Sequence, residues 1–162
     1  MGTFQSTGLE EKRSLIDQLE NIFHPTHSIV LDLKLNIVNK LCRDSNGLME
    51  SSELAELEKK MILCEEILSV LNIVYPGRSK YRGLLLHELS ETILVRSSKL
   101  FNREKLTNKH FLEGIEKVCA LLEEGIRCLE HDRKGSLESE VCSNMRKMQV
   151  TSEDFKNFIN FL

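Results

Sequence analysis

Apolar residues along this chain recur three and four positions apart, in blocks separated by short polar stretches, two of which contain the only prolines, Pro25 and Pro76. That spacing is the period of an amphipathic helix, and it predicts an all-α fold of about six to seven helices. The first block opens at a T-x-x-E capping box, Thr7 and Glu10, and keeps Leu9, Ile16, Leu19 and Phe23 in helical phase. It must end before Pro25, whose ring lacks an amide donor and disfavours the α conformation at His24.

Ser28 is the expected cap of a second helix over 29–43, with one stripe of Ile29, Leu33, Ile37 and Leu41 and another of Leu31, Leu35, Val38 and Cys42. Two stripes imply two neighbours. After a turn at Asn46 and Gly47, a third helix is predicted from Ser52 to Val74, with Leu54, Leu57, Met61, Cys64, Leu68 and Leu71 as its seam. Ser79 caps a fourth that carries Leu85, Leu86, Leu89, Ile93 and Leu100, and Thr107 opens a fifth facing inward through Phe111, Ile115, Val118, Leu122, Ile126 and Leu129. Gly135 and Ser136 precede a sixth helix at 137–149. Thr151 to Asp154 then begin a short terminal one with Phe155, Phe158, Ile159 and Leu162.

Long helices joined by short turns lie antiparallel to their sequence neighbours. The segments NIFHP at 21–25 and NIVYP at 72–76 repeat one another at the ends of successive hairpins, which predicts a stacked, TPR-like helical array. Residues 1–8 read as a flexible N-terminus and 9–162 as a single helical domain.

A length of 162 residues suits one core, and the abundance of charged residues with few aromatics, no Trp and two prolines favours helices. A formal charge of -3 provides no basic field, so no nucleic acid partner is expected. No stretch reaches the roughly 20 apolar residues of a membrane span, and no signal-peptide core precedes the first helix. Gly2 and Ser6 fit the loose myristoylation pattern. Cys42, Cys64, Cys119, Cys128 and Cys142 are odd in number, lack a CxxC pair and sit on predicted helices, so they read as core thiols in a reducing compartment, cytoplasmic or nuclear.

Candidate chemistry is sparse. His24 and His27 flank a proline with no further ligand nearby, so a joint is favoured over a metal site. His87 with Glu88, and His131 with Asp132, are adjacent on helices, point apart and have no nucleophile beside them. No catalytic, cofactor-binding or metal-binding residues are therefore assigned. The one concentrated charge, Arg78, Lys80 and Arg82, is a candidate contact for an acidic partner, weighed against a solvated turn.

The stretches IFHPTHSIVLDLKLNIVNKL and CEEILSVLNIVYPGRSKYRGLLLHEL resemble the C-terminal helical region of the SMYD family, SET and MYND domain protein-lysine methyltransferases, and are most similar to its arthropod branch. The family's H-P-x-H step is matched by His24, Pro25 and His27. Its P-G-x-S-x-x-R-G step is matched by Pro76, Gly77, Ser79, Arg82 and Gly83, and CLEHDRKGSLESEV resembles its late inter-helix turn. The likeness covers nearly all of the chain after about residue 9. It implies a TPR-like lobe that packs beside a catalytic lobe and walls its substrate cleft.

The family's catalytic parts have no counterpart here. The N-H-S type segment, the active-site tyrosine, the cysteine-rich post-SET segment and the zinc-binding MYND module cannot be placed, and Tyr75 and Tyr81 both lie in a hairpin joint. The tetratricopeptide W-x2-L-G-x2-Y pattern is absent too. The expectation is a non-catalytic interaction lobe, truncated or stand-alone, that binds a protein partner or a SET lobe in trans. The alternative is a fragment of an S-adenosylmethionine-dependent methyltransferase. S-adenosylmethionine and zinc are expected only where SET and MYND modules accompany the chain.

Overall fold

The structure, a computed structural model, describes residues 11, 14–24, 26–43, 47–49 and 51–161. The Thr7 and Glu10 box, Gly2 and Ser6, the segment 1–8, Pro25 and Asn46 lie outside them. Among the described residues the chain is all-helical, as its periodicity predicts. Helix α1 is described over 14–20, followed by α2 (Ser28–Lys40), α3 (Leu54–Val74), α4 (Lys80–Asn102), α5 (Asn108–Leu129) and α6 (Leu137–Phe161).

From α2 onward each helix packs on its sequence neighbour, and α4 also touches α2 and α6. Short connections turn the chain back after α3, α4 and α5, and a longer one, 41–53, joins α2 to α3, giving a stack of antiparallel hairpins. Leu31, Leu35 and Val38 of α2, Cys64, Ile67 and Leu71 of α3, four residues of α4 and others of α5 and α6 form one continuous core. A smaller cluster of Phe111, Ile115, Cys119 and Ile159 joins α5 to the end of α6.

The caps follow local chemistry. Ser79 accepts from the Arg82 amide and Thr107 from that of His110, as their positions predict. At α2 the cap is His27 and not Ser28: its Nδ1 accepts from the Ile29 amide at 3.3 Å. Helix α3 starts at Leu54, two residues past the expected Ser52, from a box made by Glu53 and Glu56. Gly47, Gly77 and Gly135 take φ of 78°, 99° and 82° at three connections, where a side chain would be strained.

Other sequence expectations are corrected as well. Helix α2 ends at Lys40 and not at 43, so Leu41 is its cap and Cys42, expected on a helical stripe, lies in the turn. The break between 149 and 151 does not exist, because α6 runs unbroken for 25 residues. Its buried positions Cys142, Met145, Ser152 and Ile159 hold one phase through the expected gap, with no Gly or Pro to end it. Thr151 does not cap; its hydroxyl donates to the Lys147 carbonyl within the helix.

The seam of α3 is Leu57, Lys60, Cys64, Ile67 and Leu71, while Met61 and Leu68 are only half-buried at its edge. At Gly83 the close neighbour is the end of α5, not the preceding hairpin. A Cβ built there would lie 2.5 Å from Leu129 Cγ and 3.0 Å from Cys128 Cβ.

The two repeated joints differ in phase. In NIFHP the helix has ended by Glu20, so Asn21, Ile22 and Phe23 form the turn; in NIVYP the helix continues to Val74 and Tyr75 is the cap.

Candidate functional site

Lys60 occupies a core position of α3 and is fully buried, so its ammonium needs an anion. Helix α4 supplies it. Lys60 Nζ donates to Glu88 Oε2 at 2.6 Å and to the Leu41 carbonyl at 3.1 Å. The other Glu88 oxygen accepts from Arg43 Nη2 at 2.8 Å, and the same nitrogen reaches Glu91 Oε2 at 2.6 Å. Arg43 Nη1 donates to the Gly47 carbonyl at 2.7 Å. Two cations and two carboxylates thus close a neutral cluster that ties the α2–α3 connection to α3 and α4.

Burial alone would push the Glu88 carboxyl up, but His87, Lys60 and Arg43 outweigh it and hold the group at about 2. His87 Nδ1 lies 3.8 Å from Glu88 Oε1, beyond a good hydrogen bond, so the two shorter cation contacts carry the effect. Burial pushes the neighbouring Cys64 thiol up to about 12, against the charge of Lys60. Burial likewise raises Cys42, Cys119 and Cys128. All five cysteines are free, and these raised thiols are poor nucleophiles.

His87, Glu88 and Glu91 bring three possible metal ligands within 4.8 Å of one another. They do not fit a resident cation. Both Glu88 oxygens and one Glu91 oxygen already serve Lys60 and Arg43, and a divalent ion would add two charges to a neutral cluster. Sequence reasoning missed this cluster, although a lysine at the 57, 60, 64, 67 spacing was its signal.

The cationic trio lies at the start of α4, with Arg78 and Lys80 exposed and Arg82 partly covered. Arg82 pairs with Glu124, Arg78 Nη1 lies 3.8 Å from Glu130 Oε1, and Lys80 Nζ sits 5.3 Å from the centre of the Tyr81 ring. The first two join the start of α4 to the end of α5. His24 and His27 belong to the α1–α2 joint, where His24 Nδ1 shares a hydrogen bond with Thr26 Oγ1 at 2.8 Å and His27 caps α2. Replacing both by Gln is expected to leave the melting temperature insensitive to zinc, as in the parent chain. The lost cap should cost about 1 kcal/mol. A zinc-dependent stabilisation of the parent that disappears in the double variant would identify a metal site instead.

Two surface features have the form of binding surfaces. An open cleft of about 420 Å³ runs between α1, α2 and α3, floored by Ile16, Ile37, Ile62 and Leu63 and edged by Asp17, Glu20, Lys34, Lys59 and Glu66. At the other feature, Phe101, Phe111, Phe155, Phe158 and Ile159 line a space of about 190 Å³, with Phe158 59% and Phe161 90% exposed. No helix among the described residues is long and apolar enough to cross a membrane. No protein-family description, curated protein or solved structure matches the chain.

Proposed function

We propose that the chain is a non-catalytic interaction lobe that binds a protein partner, and that a SET-bearing lobe supplied in trans is that partner. The cleft between α1, α2 and α3 carries the reading: an apolar floor edged by Asp17, Lys59 and Glu66, beside the Lys34–Glu20 ion pair, suits an amphipathic segment of another protein. The local chemistry supports it as well. The carboxylates of the central cluster are committed to Lys60 and Arg43, and burial raises the thiols of Cys42, Cys64, Cys119 and Cys128. The resemblance to the SMYD C-terminal lobe supplies the identity of the partner.

The purified chain, given S-adenosylmethionine and protein substrates, is expected to transfer no methyl groups. Mixed with a separately expressed SET and MYND lobe, it is expected to form a complex. Ile62→Asp, at a position already 53% exposed, should weaken that complex while leaving helix content unchanged. A loss of about tenfold corresponds to about 1.4 kcal/mol. Methyl transfer by the chain alone would overturn the reading, and unchanged affinity of the Ile62 variant would remove the cleft from it. The same resemblance supports a second reading, that the chain is part of a lysine methyltransferase. Transcript sequencing that joins SET and MYND segments to this one decides for it.

A further inference from the structure

Helix α2 is held in an unusual way. Its side chains Leu31, Leu35 and Val38 are deeply buried in the main core, yet its backbone approaches α3 and α4 closely at few points, whereas α4 and α5 run side by side along their length. Open space flanks it on one side, where the large cleft includes its Lys34 and Ile37. On the other, Ser28, Leu31, Asp32 and Leu35 meet Leu71, Tyr75 and Tyr81 around a narrow recess of about 20 Å³. Such a helix retains apolar burial but gives up part of the close packing that makes a core element hard to open.

What fixes the α2 end of the following connection is polar. The Leu41 carbonyl accepts from Lys60, the Cys42 carbonyl accepts from Ser52 Oγ at 2.8 Å, and Arg43 reaches Glu88 and Glu91 of α4. Cys42 itself sits at φ 61°, the left-handed region that a cysteine seldom adopts. Of these ties, only the Arg43 guanidinium spans from the connection to both carboxylates of α4.

We propose that α2, with the α1 segment that shares its cleft, is a strap that opens from the α3–α4 face as a unit, and that Arg43 is its latch. Opening separates Leu31, Leu35 and Val38 from Cys64, Ile67 and Leu71 while α4, α5 and α6 stay packed. It uncovers a helix-width apolar stripe on α3 beside Leu85 and Leu89. That a partner helix then uses this stripe rests on the interaction reading above; the opening itself does not.

The cysteines provide a direct readout. Cys64 is fully buried in the part of the core shared with α2, and Cys142 is 4% exposed on α6, which does not approach α2 among the described residues. In the closed chain Cys64 is shielded, so its alkylation reports opening. The native full-length chain is treated with iodoacetamide, and peptide mass spectrometry follows each site with time. Cys64 is expected to react before Cys142. Arg43→Gln should accelerate Cys64 by about tenfold, the weight of one charge-assisted hydrogen-bonding group, with Cys142 unchanged. Glu91→Gln, which removes one partner of the latch and leaves the buried Lys60–Glu88 pair intact, should act in the same direction. Arg82→Gln, which breaks the ion pair with Glu124 of α5, should leave Cys64 unaffected. Equal acceleration of Cys64 and Cys142 in the latch variants means that only global unfolding occurs and overturns the strap. No acceleration of Cys64 overturns the latch.

Discussion

Glu88→Ala is expected to destabilise the chain by about 3–5 kcal/mol, because it leaves the Lys60 ammonium buried with no anion. Chemical denaturation of parent and variant measures it. The loss should be largely reversed in the double variant Glu88→Ala with Lys60→Met, in which no charge is stranded and the methionine fills the lysine's place. A single variant that loses less than about 0.5 kcal/mol, the scale of an exposed substitution, would mean that water reaches Lys60.

The same carboxylate sets an acid limit. Its folded value of about 2 lies below its ordinary 4.5, so its stabilising contribution is complete above about pH 4.5 and is lost as pH falls toward 2. A shift of this size corresponds to about 3 kcal/mol. The Glu88→Ala variant should lack this part of the acid dependence.

Phe111→Ala should cost a similar amount, about 3–5 kcal/mol, for a different reason. Phe111 is 2% exposed in the smaller core, with its ring centre 4.6 Å from that of Phe101 and 6.0 Å from that of Phe155, the latter edge-on. Truncation removes apolar contact and both ring pairs, and leaves a cavity between α4, α5 and α6. The cost should appear as a lower denaturation midpoint with little change in slope. An effect below about 1 kcal/mol would show that the neighbouring phenylalanines collapse into the vacancy.

The helical stack was legible because hydrophobic period, capping residues and turn glycines agreed at most connections. On α5, Phe111, Ile115, Val118, Leu122 and Leu129 are all buried as their spacing predicts. What the period could not settle was which residue types the buried phase would accept. On α3 a lysine holds the place in that phase expected for Met61, because a partner 28 residues away neutralises it, and Ile67 holds the place expected for Leu68. On α6, Thr151 and Ser152 resemble a start signal, yet one hydroxyl bonds backward along the helix and the other side chain is buried. Local capping chemistry is ambiguous until tertiary burial chooses between its two uses. The cationic trio was legible as a concentration of charge, but Glu124 and Glu130, which engage Arg82 and Arg78, lie more than forty residues on.

The unbroken α6 bears on how the molecule assembles. Met145 belongs to the main core and Ile159 to the smaller one, so a single rod of about 37 Å, at 1.5 Å per residue, is anchored in both. Most contacts in the stack join sequence neighbours, a topology of short loop closures that favours rapid folding. The extensively paired α4–α5 hairpin is the natural nucleus, and growth from it can proceed in either direction along the chain. When α6 docks against α5, the order it gains in one core is transmitted along its axis to the other, so the two should mature in a single kinetic phase.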